Sequence, residues 1–182
     1  TYTDQDNDAA TDEFKRILNY FMDGAARKSV LDGMMADFCN EKAVAEKLYM
    51  SRKDIARLQN AGMIVGSHSV THPVFSNIGA EEQRREVADS FAFLDDVTGG
   101  LDLRTFCYPY GHTHTYTPET VAILADNNCQ MAFTTGNVDA TAQDFAMRPL
   151  EVPRYDCNRF PHGQASYGPS RPEADGAGRG VS

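Results

Sequence analysis

Gly62-Met63-Ile64-Val65-Gly66-Ser67-His68-Ser69-Val70-Thr71-His72-Pro73 is the stretch on which the reading of this chain turns. Met63, Ile64 and Val65 form a short apolar run between glycines, which reads as a buried strand. His68 then falls at the carboxyl end of that strand and His72 four residues later. In open α/β sheets, ligands collect beyond the carboxyl ends of the strands. Two imidazoles at i and i+4 face one another if the chain between them turns helically, which suits a shared zinc-type cation. Pro73 disfavours the αR region at His72, so such a turn should stop there. Two histidines do not complete a metal shell. A carboxylate or a third imidazole must join them and leave a position for water. A chance H-x-x-x-H, or a histidine capping a loop, is the plainer reading of the same spacing.

Outward from this stretch, the pattern alternates helices and strands. Phe14, Ile17, Leu18 and Phe21 predict a helix near 11–22, and Val30, Leu31, Met34, Met35 and Phe38 a second over 26–38. Ser51 is a good N-cap with Asp54 at the capping-box position, and Gly62 marks the end of that third helix, whose buried side is Ile55 and Leu58. Over 80–97, Val87, Phe91 and Leu94 line one face, while Glu81 and Arg85 make an i,i+4 pair on the other. Residues 104–108 read as the next strand. Thr117 and Pro118 open another helix as N-cap and N1, with Val121 and Leu124 inward. Residues 131–133 and 150–152 are further short strands. This order gives an α/β domain with a mostly parallel sheet, preceded by two helices.

The second informative cluster is Arg104-Thr105-Phe106-Cys107-Tyr108-Pro109-Tyr110-Gly111-His112. It also follows a strand. Its loop is suited to presenting backbone N–H groups toward a developing oxyanion and an aromatic surface toward a sugar ring. An ordinary strand-to-loop corner is the alternative.

The chain has 182 residues, 41% of them hydrophobic, with a net charge of −9 and no tryptophan. That length suits one domain with a real core. The acidic balance argues against nucleic acid or an anionic membrane as main partner. No run approaches the ~18 apolar residues of a membrane span. Cys39, Cys107, Cys129 and Cys157 show no C-x-x-C pairing. They read as buried thiols, leaning toward a reducing, cytoplasmic setting, with an extracytoplasmic protein carrying two bridges left open. Residues 1–10 are polar and Asp-rich, and 163–182 carry five glycines and two prolines, so both are expected to be poorly ordered. The working domain is therefore 11–162. Oligomeric state is not legible.

Together the two clusters resemble the polysaccharide deacetylase family (the NodB-homology domain, carbohydrate esterase family four). "AGMIVGSHSVTHPVFSNI" is similar to its His-Ser/Thr-x-x-x-His metal motif, and "RTFCYPYG" to the motif ending in Pro-Tyr-Gly. "QMAFTTG" and "LEVPRYDCNRFP" resemble later strands of one branch, so the likeness covers about 42–162. The resemblance implies a distorted (β/α) barrel and a divalent cation, usually zinc, held by an aspartate together with His68 and His72. It implies an N-acetylated sugar or polysaccharide as substrate, with water activated by the cation attacking the acetamide carbonyl. A second aspartate would be the general base. The backbone N–H of Tyr110 would help hold the oxyanion, and Tyr108 and Tyr110 would wall the substrate site.

Three departures qualify that picture. The family's Thr-Phe-Asp-Asp-Gly motif is not present: Thr1-Tyr2-Thr3-Asp4-Gln5-Asp6 follows no apolar strand and leads to no glycine. The expectation is a chain that begins after that motif, in a helical insertion over 11–50, with the barrel incomplete at its N-terminus and the chain alone inactive. Cys107 stands where many members carry an arginine, leaving Arg154 as a candidate to polarise the base. The Leu-x-His motif that protonates the leaving amine is not evident, which leaves His162 and His114 as candidates. Arg154 and Asp156 are read equally well as site residues or as an ion pair. A catalytically silent carbohydrate-binding or structural module on the same scaffold is the alternative reading, and an amidase of another substrate a third.

Overall fold

The computed structural model describes residues 7–38 and 40–156. Among these residues, seven α-helices and three strands occur in the order α1 (Ala9–Arg16), α2 (Gly24–Phe38), α3 (Glu41–Leu48), α4 (Arg52–Asn60), α5 (Ala80–Thr98), β1 (Thr105–Cys107), α6 (Pro118–Asp126), β2 (Met131–Thr134), α7 (Ala142–Met147) and β3 (Val152–Pro153). The strands form one parallel sheet in the order β1-β2-β3, with Phe106 opposite Ala132 and Phe133 opposite Val152. This is the expected α/β architecture, a partial parallel sheet of an incomplete barrel. No helix among the described residues is long and apolar enough to cross a membrane.

The stretch before His68 differs from expectation. Met63 and Ile64 are 58% and 68% exposed and belong to no ladder. Pairing begins only at Ser67, which bridges in parallel to Phe106: Ser67 N–H donates to the Thr105 carbonyl at 2.8 Å, and Cys107 N–H to the Ser67 carbonyl at 2.9 Å. Gly66 passes so close to β1 that a Cβ there would sit 2.2 Å from Thr105 Oγ1 and 3.1 Å from the Thr105 carbonyl oxygen. Of the apolar run, only Val65 is half-buried.

The core lies where α5 and α6 cover the sheet. Phe75, Val87, Phe91, Phe106, Tyr108, Ile123, Leu124 and Ala132 form one buried cluster. Phe106 is its centre, with ring centroids 5.9 Å from Phe75, 6.5 Å from Phe91 and 5.5 Å from Tyr108. Truncating such a phenylalanine to alanine costs about 3–5 kcal/mol. Ile123 and Leu124 carry the inward face of α6, with Val121 only partly buried beside them.

Local signals shaped most element ends. Ser51, Thr117 and Thr141 each cap a helix with a complete capping box. Glu81 pairs with Arg84 at 3.8 Å, and Arg84 also reaches Glu119 and Asp126 on α6. The i,i+4 pair expected with Arg85 is thus an i,i+3 pair, because Arg84 lies on the side of α5 that faces α6. The helix expected over 11–22 is α1 followed by a π-helical turn, Ile17–Phe21. Helix α3 falls within the helical insertion expected over 11–50, whereas α7 has no counterpart in the sequence reading. Residues 150–151 belong to a 3-10 turn rather than to the last strand, because Pro149 opens that turn.

Candidate functional site

The His68–His72 loop leaves the edge of β1 at Ser67, whose hydroxyl lies 2.6 Å from that of Ser90 on α5. The next residues do not turn helically. Ser69 and His72 both take positive φ, at 68° and 56°. For residues other than glycine this region is uncommon and costs free energy, so the loop must be held by its surroundings. The holding group is Glu86, a carboxylate buried on α5. It accepts from Val70 N–H at 2.8 Å, Thr71 N–H at 2.9 Å and the Thr71 hydroxyl at 2.6 Å. His72 N–H in turn donates to Ser69 Oγ at 3.0 Å. The expectation of a helical turn is therefore corrected, yet its outcome holds: the imidazoles meet edge to face, with centroids 4.7 Å apart.

The two rings are set up differently. His68 Nδ1 lies 2.7 Å from the Cys107 carbonyl oxygen. A carbonyl only accepts, so Nδ1 carries the proton and Nε2 presents its lone pair. A metal-ligating histidine is commonly oriented in this manner. His72 is half-buried. Burial, then the neighbouring His68 and Arg27, hold its pKa below the ordinary histidine value, which favours the neutral ring. The pair is thus suited to serve as two nitrogen ligands. Among the described residues, no group of three or more His, Cys, Asp or Glu side chains converges on one point, so further ligands would have to come from elsewhere.

The Pro109-Tyr110-Gly111 loop lies against this pair. Tyr110 has φ 62°, and its ring meets His72 at 4.8 Å. The turn is clasped to the residue after β2: Thr135 N–H donates to the Gly111 carbonyl at 2.9 Å, and the Thr135 hydroxyl to the Tyr110 carbonyl at 2.8 Å. Gly111, at φ 73°, has no room for a side chain, since a Cβ would stand 2.8 Å from Thr135 N. The loop therefore fixes the Tyr110 backbone beside the histidines.

Other expected site residues are placed elsewhere. Tyr108 is 1% exposed, stacks on Tyr116 at 4.1 Å and donates its hydroxyl to the Leu150 carbonyl at 2.8 Å. Burial, with Tyr116 and Glu151 nearby, pushes its pKa well up. Tyr108 is a core residue, not a substrate wall, because β1 turns its side chain inward. Arg154 N–H donates to the Thr134 carbonyl at 3.0 Å, extending the sheet pattern past β3, and its Nε is buried with no partner among the described residues. His114 is exposed and stacks parallel to His112 at 5.6 Å. His162 lies outside the described residues. Of the four thiols, Cys107 and Cys129 are described and unbridged. Cys129 is buried as expected, whereas Cys107 is only half-buried.

Glu86 was missed by sequence reading. Its signal was present: Gln83, Glu86 and Ser90 are polar residues set within the apolar stripe of α5. Each bonds inward, Gln83 to the Phe75 and Ile78 carbonyls, Glu86 to the histidine loop and Ser90 toward Ser67.

A family model described as polysaccharide deacetylase matches residues 33–132, more than half of the chain. No curated protein matches. Among solved structures, the Streptococcus pyogenes deacetylase PplD, in complex with acetate, is 24% identical, with a TM-score of 0.52 over 62% of this chain and 48% of that one. The chain thus spans about half the length of that relative, and at this identity the likeness is one of fold. A CE4 family pseudoenzyme from Bacillus anthracis is 22% identical over 49% of this chain and 29% of that one, with a TM-score of only 0.40. With its histidine loop and its Pro-Tyr-Gly turn both inside the span that the family match covers, the chain belongs to the polysaccharide deacetylase family.

Proposed function

We propose that this chain carries the histidine and oxyanion half of a metal-dependent N-deacetylase acting on an N-acetylated sugar or polysaccharide. The carrying observation is the His68–His72 pair, with His68 Nδ1 committed to the Cys107 carbonyl so that Nε2 points its lone pair outward. His68 and His72 would hold a divalent cation, zinc in the usual case. When bound, it would supply Lewis acidity toward an acetamide carbonyl and toward attacking water.

The chain's own residues would do the rest of what is assigned to it. The imidazoles of His68 and His72 would each present a nitrogen for coordination. The Tyr110 backbone N–H would face the developing oxyanion, a donor of the kind worth about 10²–10³ in rate. The Tyr110 ring would offer an aromatic surface to the sugar. Arg154, whose Nε is buried with no partner among the described residues, would polarise the general base. His162 would donate the proton to the leaving amine.

A second reading is a silent carbohydrate-binding or structural module. It is favoured by the lack of any third converging ligand among the described residues. Metal analysis of the chain, and acetate release from a panel of N-acetylated glycans by the chain joined to a segment carrying the Thr-Phe-Asp-Asp-Gly motif, with and without chelator, test both. Chelator-sensitive acetate release supports the deacetylase. Glycan binding with zinc but no acetate release supports the silent module. A chain that takes up no zinc removes the metal assignment.

A further inference from the structure

Four rings run in series across the site. His68 meets His72 at 4.7 Å, His72 meets Tyr110 at 4.8 Å, and Tyr110 meets Tyr20 at 5.5 Å. The last member does not come from a strand end. It sits on the π-helical turn Ile17–Phe21, in the helical segment that precedes the sheet. Two further contacts join that segment to the histidine loop and to the 3-10 turn Phe75–Asn77 that follows it: Arg27 Nη1 donates to the His72 carbonyl at 3.5 Å, and Asn77 Nδ2 to the Tyr20 carbonyl at 3.4 Å.

Apolar burial does not account for this docking. Across α1, the π turn and α2, Leu18 is the single buried residue among those described. Phe14, Ile17 and Phe21 remain exposed at 42%, 42% and 69%. The π turn is itself informative. Such turns are rare and recur at functional sites. Adding a residue to the turn rotates the downstream side chains relative to the α-helical register. Tyr20 lies inside this turn and is the residue that reaches Tyr110.

We propose that Tyr20 is a positioning residue of the site: its ring holds the Tyr110 ring against His72 and so fixes the direction of the His72 imidazole. Tyr110 takes a positive φ, and its side chain is braced by Tyr20 and His72. Removing Tyr20 lets Tyr110 change rotamer, and the edge contact that orients His72 goes with it. The functional consequence rests on the reading of His68 and His72 as metal ligands.

The test uses the full 182-residue chain, with assigned histidine side-chain NMR resonances and zinc titration, for Tyr20→Ala, Tyr20→Leu and Tyr20→Phe. Methyl resonances of Ile123 and Leu124 monitor the core. With the core unchanged, Tyr20→Ala and Tyr20→Leu are expected to displace the His72 ring resonances and weaken zinc about tenfold, the usual effect of losing a group that orients a ligand. Tyr20→Phe keeps the ring and should restore both. The proposal is overturned if His72 resonances and the zinc midpoint stay at wild-type values in Tyr20→Ala. It is equally overturned if Tyr20→Leu restores them as well as Tyr20→Phe, since bulk alone then suffices. If the wild-type chain takes up no zinc, the metal reading falls. The His72 resonances then still decide whether Tyr20 positions that ring.

Discussion

Thr71 is fastened to Glu86 twice, through its backbone N–H at 2.9 Å and its hydroxyl at 2.6 Å, so one carboxylate on α5 holds the middle of the histidine loop. Val70 N–H adds a third bond to the same group. Glu86→Ala removes both acceptor oxygens and leaves the Val70 and Thr71 N–H groups and the Thr71 hydroxyl without this partner. The expected cost is about 1–3 kcal/mol, read as a lower urea midpoint with unchanged m-value. Zinc uptake should weaken along with it, because Ser69 and His72 lose what keeps them at positive φ.

Gly111→Ala should be damaging out of proportion to one methyl group. The new Cβ would meet Thr135 N at 2.8 Å, on a backbone with φ 73°. Strain of this kind costs about 1–3 kcal/mol. Thermal melting should report the loss. The Tyr110 and Thr135 amide resonances should shift while those of α6 stay in place.

Tyr108→Phe separates a core role from a substrate role. The hydroxyl bond to Leu150 is lost, for about 1 kcal/mol of stability. Glycan affinity, measured by calorimetry, should be unchanged. A drop in affinity without a drop in stability would return Tyr108 to the substrate face.

Cys129 gives the clearest pH dependence. Burial pushes its thiol up to about 11, above the unfolded value of 9.0. A group raised in the folded state favours folding while protonated. Its contribution is full below pH 9 and is lost as pH rises toward 11. Peptide-resolved alkylation near the unfolded value should therefore label Cys129 slowly in the native chain and rapidly in urea.

His68→Ala and His72→Ala should each weaken zinc uptake by more than about tenfold. Unchanged zinc stoichiometry in both variants would remove the metal assignment outright.

Legibility followed the range of the physics. The capping box at Ser51 and the N-cap at Thr117 with Pro118 behind it are local, and the structure bears them out. The inward face of α5 at Val87, Phe91 and Leu94 is periodic, and it too was readable. What failed was long-range. Whether residues 63–65 are buried depends on neighbours that a short apolar run does not specify, and Met63 and Ile64 are exposed. Tyr108 reads as a loop-facing aromatic from its place near Pro109, yet strand alternation turns it into the core. The histidine spacing was legible as a pair of facing rings. The means was not, because the loop relies on Glu86, sixteen residues from Val70, rather than on a helical turn.

The close passage of Gly66 over Thr105 sets how freely this part of the gene can drift. Positions 63 and 64 face outward and should accept a broad alphabet of side chains. Two codons later, every substitution drives a side chain into β1 and pushes Ser67 off the edge it pairs with. A saturation library over 62–68, selected for folded protein, should show a cliff at 66 in place of a gradual slope. The entrance to the histidine loop is thus tuned by a residue with no chemistry of its own, and a survey for reactive side chains alone would pass it by.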